Sequence, residues 1–227
     1  MLARIYRMIL SLSNAPLDLN IQTLNGSAIP PRGLTAAGVK FTVTTAKRDD
    51  LQNGDQIHGI NIYSISSPSR RAEFFDADQI RYLPADEIQA QLRNPEIDLR
   101  SLLLLPQDAK SAEPQSRVKG PTEHARVEYR RPNSDHIECT VTTGRSGYLR
   151  IIEPWDPGWS ATVDGLPAPI VPALDALLAV PIGPGRHEVH FIYRTPGTVV
   201  GWTISIISLI LLCGVIWFSD LSRRRQN

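Results

Sequence analysis

With two cysteines in 227 residues, the chain has no basis for a disulfide framework or a cysteine-based zinc site. Cys213 lies in an apolar run and Cys139 in a strand-like segment, so both read as free thiols. Net charge is nearly absent as well: 24 Lys and Arg stand against 23 Asp and Glu, leaving +1. The basic cluster Arg223, Arg224 and Arg225 supplies that excess, and the rest is slightly acidic. A nucleic-acid binder carries a concentrated basic surface, so nucleic acid is set aside as a partner. There is also no phosphate-binding loop. Gly183-Pro184-Gly185-Arg186 joins strand to strand, and no helix N-terminus follows it to hold an anion. No cofactor is implied, and no nucleophile with its base can be read from the spacing.

What is plentiful is punctuation. The 18 prolines and 15 glycines are spread along the chain, which suits a fold of many short strands and turns. Residues 1–38 are weakly patterned, with a short helix possible at 1–12 and a loop at 26–33. Asn25-Gly26-Ser27 matches a glycosylation triplet, a pattern that arises often by chance. Strands begin at Val39, where Val39, Phe41 and Val43 alternate with Lys40, Thr42 and Thr44. The segment 57–65 reads as a strand buried on both faces. Residues 84–94 read as a helix, with Pro84 in the first turn, Asp86 and Glu87 at its positive end and Arg93 at the other. A buried strand ended by Pro106 follows. The polar stretch 107–123 reads as a linker or long loop. From 124 to 196 strands recur at the short spacing of a sandwich. The expected fold is therefore mainly β. It comprises a β-sandwich-like domain at 124–196 and a small α+β part at 39–106 packing with it. One C-terminal transmembrane helix at 198–218 and a basic tail at 219–227 complete the chain.

The membrane expectation rests on the run 198–218, which holds no Asp, Glu, Lys or Arg. As a helix it is about 31 Å long, the thickness of a bilayer's hydrocarbon core. Trp202 near one end, and Trp217 and Phe218 at the other, fit the two interfaces. Arg223–Arg225 then place the C-terminus in the cytoplasm and the preceding domain outside, with the lipid bilayer as a partner. Residues 1–12 are short of apolar core for a signal peptide. The other reading is that membrane helices precede this sequence in a longer protein or a neighbouring gene product.

The stretch 153–165 holds Trp155, Trp159, two prolines, two glycines and a closing Asp-Gly. Tyr148, Trp155 and Trp159, with Asp156 between them, form a candidate surface for a ligand or partner. The same aromatics would serve as anchors of a sheet corner, each burying about 150–250 Å². Trp159 starts a strand just after Pro157-Gly158 and fits the anchor role better, whereas Trp155 fits either. Gly158, Asp164, Gly165 and Gly185 are expected turn positions. Asp164-Gly165 suits a type I′ hairpin, where both central residues need positive φ. His187 and His190 are three apart on a strand and so point to opposite faces. His58, His124 and His136 have no ligand-like spacing, and no metal site is expected. The acids Glu128, Glu138, Glu153, Asp156 and Asp164 are scattered, with nothing in the spacing to pair any two for glycoside chemistry.

Residues 146–212 resemble the C-terminal end and last membrane helix of the YfhO-type bacterial membrane protein family. The resemblance is carried by Glu153, Pro157, Gly158, Trp159, Val163, Asp164, Gly165, Val180, Pro181, Gly185, His187, Val189, Phe191 and Tyr193. Upstream, "AGVKFTVTT" is similar to the family's "GVRY" strand. "IYSISSPSRRAEFF" is similar to its "NPNALPRAF" segment, although Arg70 replaces a proline and Ser67 an asparagine. The similarity spans roughly residues 36–215. It implies the bacterial cytoplasmic membrane, and a relation to polytopic proteins that look like GT-C lipid-linked-sugar glycosyltransferases. Their presumed catalytic acids lie between N-terminal membrane helices that have no counterpart in these 227 residues, so no catalytic residue carries over. The implied role is a non-catalytic extracytoplasmic accessory domain, a fragment or split form of such a protein. Its implied partners are a polytopic glycosyltransferase or an envelope glycan. The alternative is a membrane-anchored β-sandwich module that binds glycan or protein.

Overall fold

The computed structural model describes Arg4, Met8 and residues 29–51, 54–112 and 125–224, with backbone alone for Val199 and 215–224. The short helix expected at 1–12, the glycosylation triplet and most of the linker lie outside these residues. The chain divides into two units, Met1–Ile192 and Tyr193–Asn227.

The first unit opens with helix α1 (Pro31–Ala36), then strands β1 (Phe41–Thr44), β2 (Gly54–Ile57) and β3 (Ile60–Ser64). These strands form an antiparallel sheet of order β1-β3-β2. The alternation in β1 is real but inverted: Phe41 and Val43 are exposed and the threonines are half-buried. In β3 the buried residue is Tyr63, whose hydroxyl accepts from the Arg48 N–H at 2.8 Å, and Ile60 is exposed.

Strand β4 (Ala72–Asp76) leads through a 3-10 turn at Ala77–Gln79 to β5 (Ile80–Leu83), helix α2 (Ala85–Arg93) and β6 (Leu103–Pro106). Strands β5 and β6 pair in parallel with α2 as the crossover, since parallel neighbours cannot be joined by a tight turn. Pro84 sits one position before the helix, and Asp86, Glu87 and Arg93 stand at the ends that suit their charge. Ile88 and Leu92, four residues apart, are the buried face of α2. The Arg32 guanidinium closes the other end by donating to the carbonyls of Leu92, Arg93 and Asn94 at 2.9, 2.9 and 2.6 Å. Those carbonyls have no partner within the helix.

Strands β7 (Arg126–Asn133), β8 (His136–Thr143), β9 (Gly147–Pro154), β10 (Trp159–Val163), β11 (Leu166–Ala168), β12 (Val171–Ala173), β13 (Leu177–Ile182) and β14 (Gly185–Tyr193) follow. They sort into a five-stranded sheet of order β11-β10-β14-β8-β7 and a four-stranded sheet of order β12-β13-β9-β4. The two sheets share one core. Ile137, Cys139, Val141, Val189 and Phe191 come from the first, and Leu149, Ile151, Leu178, Val180 and Ile182 from the second. The four-stranded sheet is buried on its other face as well. Tyr148, Phe75 and Ala179 pack there against Ile88, Leu92, Leu103, Leu104 and Leu105.

That second burial corrects the expected fold class. The architecture is mixed β/α, with no closed sandwich among the described residues. One sheet is covered on both sides, and β4, from the upstream segment, completes it by pairing with β9. A sequence spacing of short strands reads only the count of strands, and cannot show that one sheet recruits an upstream strand and a helical layer.

The second unit contains helix α3 (Thr198–Arg224). Its described side chains, including Trp202, Ile206, Ile210 and Leu212, are exposed. The expectation of a transmembrane helix at 198–218 is corrected here. Among the described residues no helix is long and apolar enough to cross a membrane. Four inferences fall with the span. They are the bilayer as a partner, the single-pass topology with the domain outside and the C-terminus in the cytoplasm, the placement in the cytoplasmic membrane, and the extension of the family resemblance to a last membrane helix.

Candidate functional site

The corner at 153–165 does not assemble an aromatic platform. Tyr148 is fully buried under the helical layer, and its hydroxyl donates to the Ala109 carbonyl at 2.8 Å. Trp155 is half-buried against the inter-sheet core, and its backbone N–H donates to the Ala176 carbonyl at 2.7 Å. The Arg4 guanidinium lies over its ring, 4.6 Å from the centroid. Arg4 also pairs with Asp175 at 3.2 Å. Trp159 is half-buried and packs on the same core. The Asp156 carboxylate accepts from the Gly158 N–H at 2.8 Å, an Asx turn that shapes the corner. Gly158 does not have positive φ, so hydrogen bonding rather than left-handed backbone sets its place.

The hairpin turns do use positive φ. Asp164 and Gly165 have φ of 51° and 78°, as a type I′ turn requires. The Asp164 carboxylate accepts from the Glu188 N–H at 2.8 Å and meets His187 Nδ1 at 2.7 Å. These contacts, the backbone hydrogen bond first, hold its pKa below the ordinary carboxylate value. Gly185 has φ of 129°, beside the same histidine.

The acids expected to be scattered are each engaged nearby. Glu153 pairs with Arg131 at 2.6 Å, Glu128 with Arg126 at 2.7 Å, and Glu138 with Arg130 at 3.6 Å. Cys139 and Cys213 are free thiols. Cys139 faces the core, and burial pushes its thiol pKa up to about 12, so it stays protonated.

One constellation does form, on the outer face of the five-stranded sheet. Along β8 the odd-numbered residues from Ile137 to Thr143 point to the core, so His136 and Glu138 share the outer face. In the ladder with β14, His190 stands directly opposite Glu138. On the other side Arg130 of β7 stands opposite the same Glu138. A register shift between Arg130 and Asn133 bends β7 beside His136, as bulges near sites commonly do. One donor atom each from His136, Glu138 and His190 lie within 4.8 Å of one another. The two imidazole centroids are 5.7 Å apart, and His136 Nε2 is 3.7 Å from Glu138 Oε1. His136 Nε2 is shielded from solvent and has no hydrogen-bond partner, a condition that costs about 1–3 kcal/mol for a buried polar atom. Glu138 and His190 line an open cleft of about 400 Å³ with Glu128, Tyr129, Arg130 and Glu188. Two imidazoles and a carboxylate are a donor set able to hold a divalent metal.

Spacing along the chain separates His190 from His136 and gives no hint of this trio. The readable signal was the His-x-Glu pair on one strand face. The third member depended on the pairing of β14 with β8, strands that no hairpin connects.

Residues 93–205, just under half of the chain, match the family model for bacterial membrane protein YfhO. No curated protein and no solved structure matches the chain. The matched segment runs from the end of α2 through every strand of the five-stranded sheet into α3. The match links this segment of the chain to the YfhO family.

Proposed function

We propose that the chain is a non-catalytic accessory part of a YfhO-like system that glycosylates the cell envelope, a fragment or split form of a glycosyltransferase-like protein. The match over residues 93–205 carries this reading. The acids of the corner support it, since Asp156 and Asp164 are committed to turns and Glu153 to an ion pair. A glycan-binding module built on the aromatics fits less well, because Tyr148 is buried and Arg4 covers a face of Trp155.

The test is disruption of the gene in its host, with envelope glycans compared by composition and linkage, and cross-linking of the tagged full chain. The reading expects a changed glycan and capture of a YfhO-like transferase. Unchanged glycans together with no transferase among the cross-linked proteins overturn it. Glycan binding by the purified chain that is lost in Trp155→Ala with its melting unchanged would instead favour the binding module.

A further inference from the structure

We propose that His136, Glu138 and His190 form a site for one zinc ion on the outer face of the five-stranded sheet. The inference stands on side-chain geometry and goes beyond the accessory role.

The three donors come from two neighbouring strands whose register brings them together. His136 and Glu138 are two apart on β8, and His190 is the ladder partner of Glu138. A rigid ladder of backbone hydrogen bonds therefore sets the spacing of the three Cβ atoms. Zinc bonded at about 2.0–2.1 Å in a tetrahedron needs its ligand atoms about 3.4 Å apart. His136 Nε2 and Glu138 Oε1 are already 3.7 Å apart, and all three donors lie within 4.8 Å. Side-chain rotation of about 1 Å closes the set, and these side chains are only half-buried, so they have room to turn.

Three further features fit a metal better than an ion-pair cluster. His136 Nε2 is shielded and has no hydrogen-bond partner, and coordination would satisfy it. One Glu138 oxygen faces His136, while Arg130 Nη1 stands 3.6 Å from the other. Such an outer partner orients a ligating carboxylate. The cleft beside Glu138 and His190 leaves a fourth coordination position facing solvent, as in zinc sites with three protein ligands.

The donor chemistry selects the ion. Two imidazoles disfavour magnesium and calcium, which prefer all-oxygen shells. The nearest thiol, Cys139, lies on the opposite face of β8, so the site lacks soft ligands. Imidazole with carboxylate suits zinc among the divalent first-row metals.

The experiment uses the full chain stripped with a chelator and titrated with zinc chloride by calorimetry. One zinc should bind to this site. His190→Ala and His136→Ala should each weaken it by more than about 100-fold, the upper end of the loss seen for an outer partner. Glu138→Gln, nearly the same size, should also weaken it, and His187→Ala should leave it unchanged. Cobalt(II) added in place of zinc should give the visible absorption of a four-coordinate nitrogen and oxygen site, absent in His190→Ala. Circular dichroism checks each variant's fold. If an alanine variant fails to fold, Glu138→Gln and the cobalt spectrum of the unsubstituted chain decide. No binding at millimolar zinc, unchanged affinity in the variants, or a loss in His187→Ala equal to that in His190→Ala overturns the proposal.

Discussion

The two large sheets differ in how many faces they bury, and that difference separates scaffold from chemistry. In the four-stranded sheet β9 runs from Gly147 to Ile151 without an exposed residue, and Arg150 is wholly buried. In the five-stranded sheet β8 alternates buried and half-exposed positions. A sheet covered on both faces reads as a continuous apolar run, and one with a wet face alternates. Arg150, at the centre of the covered sheet, is out of reach of solvent, so its polar contacts are structural. Polar groups on the wet face are free to meet a ligand, and the histidine-carboxylate trio is there.

Charge gives the sharpest way to test the contrast. Arg150 is ion-paired with Glu73, donates to the Leu99 carbonyl at 3.3 Å, and lies over Phe75 at 4.7 Å. Desolvation lowers its pKa and Glu73 raises it. Glu73→Gln should cost about 3 kcal/mol, the low end for a broken buried pair because Glu73 keeps partial exposure. The same change on the wet face, Glu138→Gln, should cost at most about 0.5 kcal/mol in metal-free protein. Urea denaturation of both variants makes the comparison. Equal losses would show that the wet face is as structural as the covered one.

A smaller effect sharpens it. Tyr148→Phe removes the hydroxyl bonded to Ala109 and leaves a buried carbonyl without its donor. The expected loss is about 1–2 kcal/mol, again by urea denaturation. A neutral result would mean that water reaches the layer beneath the four-stranded sheet.

The smallest effect depends on pH. Asp164 has its pKa lowered in the folded state by the Glu188 N–H and by His187. Its contribution is therefore fully present above the ordinary carboxylate pKa of 3.8 and is lost as pH falls through the lower, folded value. Its side chain is 49% exposed, so the effect is small. Thermal melts from pH 6 down to pH 2.5 should show a weaker acid dependence in Asp164→Asn than in the parent. Identical slopes would remove the carboxylate from the account of that hairpin.

Much of the local structure was legible. Helix α2 announced itself by Pro84 and by charge at its two ends, and β6 by an apolar run closed by Pro106. Asp164-Gly165 named its own turn type. Facing was harder. Phe41 and Val43 alternate as a buried strand would, yet they are the exposed side of β1. The run at 198–218 read as a membrane span on composition alone, which the described residues of α3 do not bear out. Tyr148 and Trp155, near in sequence, went to a buried layer and to a half-buried corner.

What the amino-acid order determined by itself is what acts over a few residues: periodicity, turn chemistry and helix ends. Only the tertiary structure decided that β4 joins β9, that one sheet is covered twice, and that His190 lies opposite Glu138. These pairings join residues far apart in the chain. Their register is set by which faces find an apolar partner, a property of the whole packed unit that no short stretch carries.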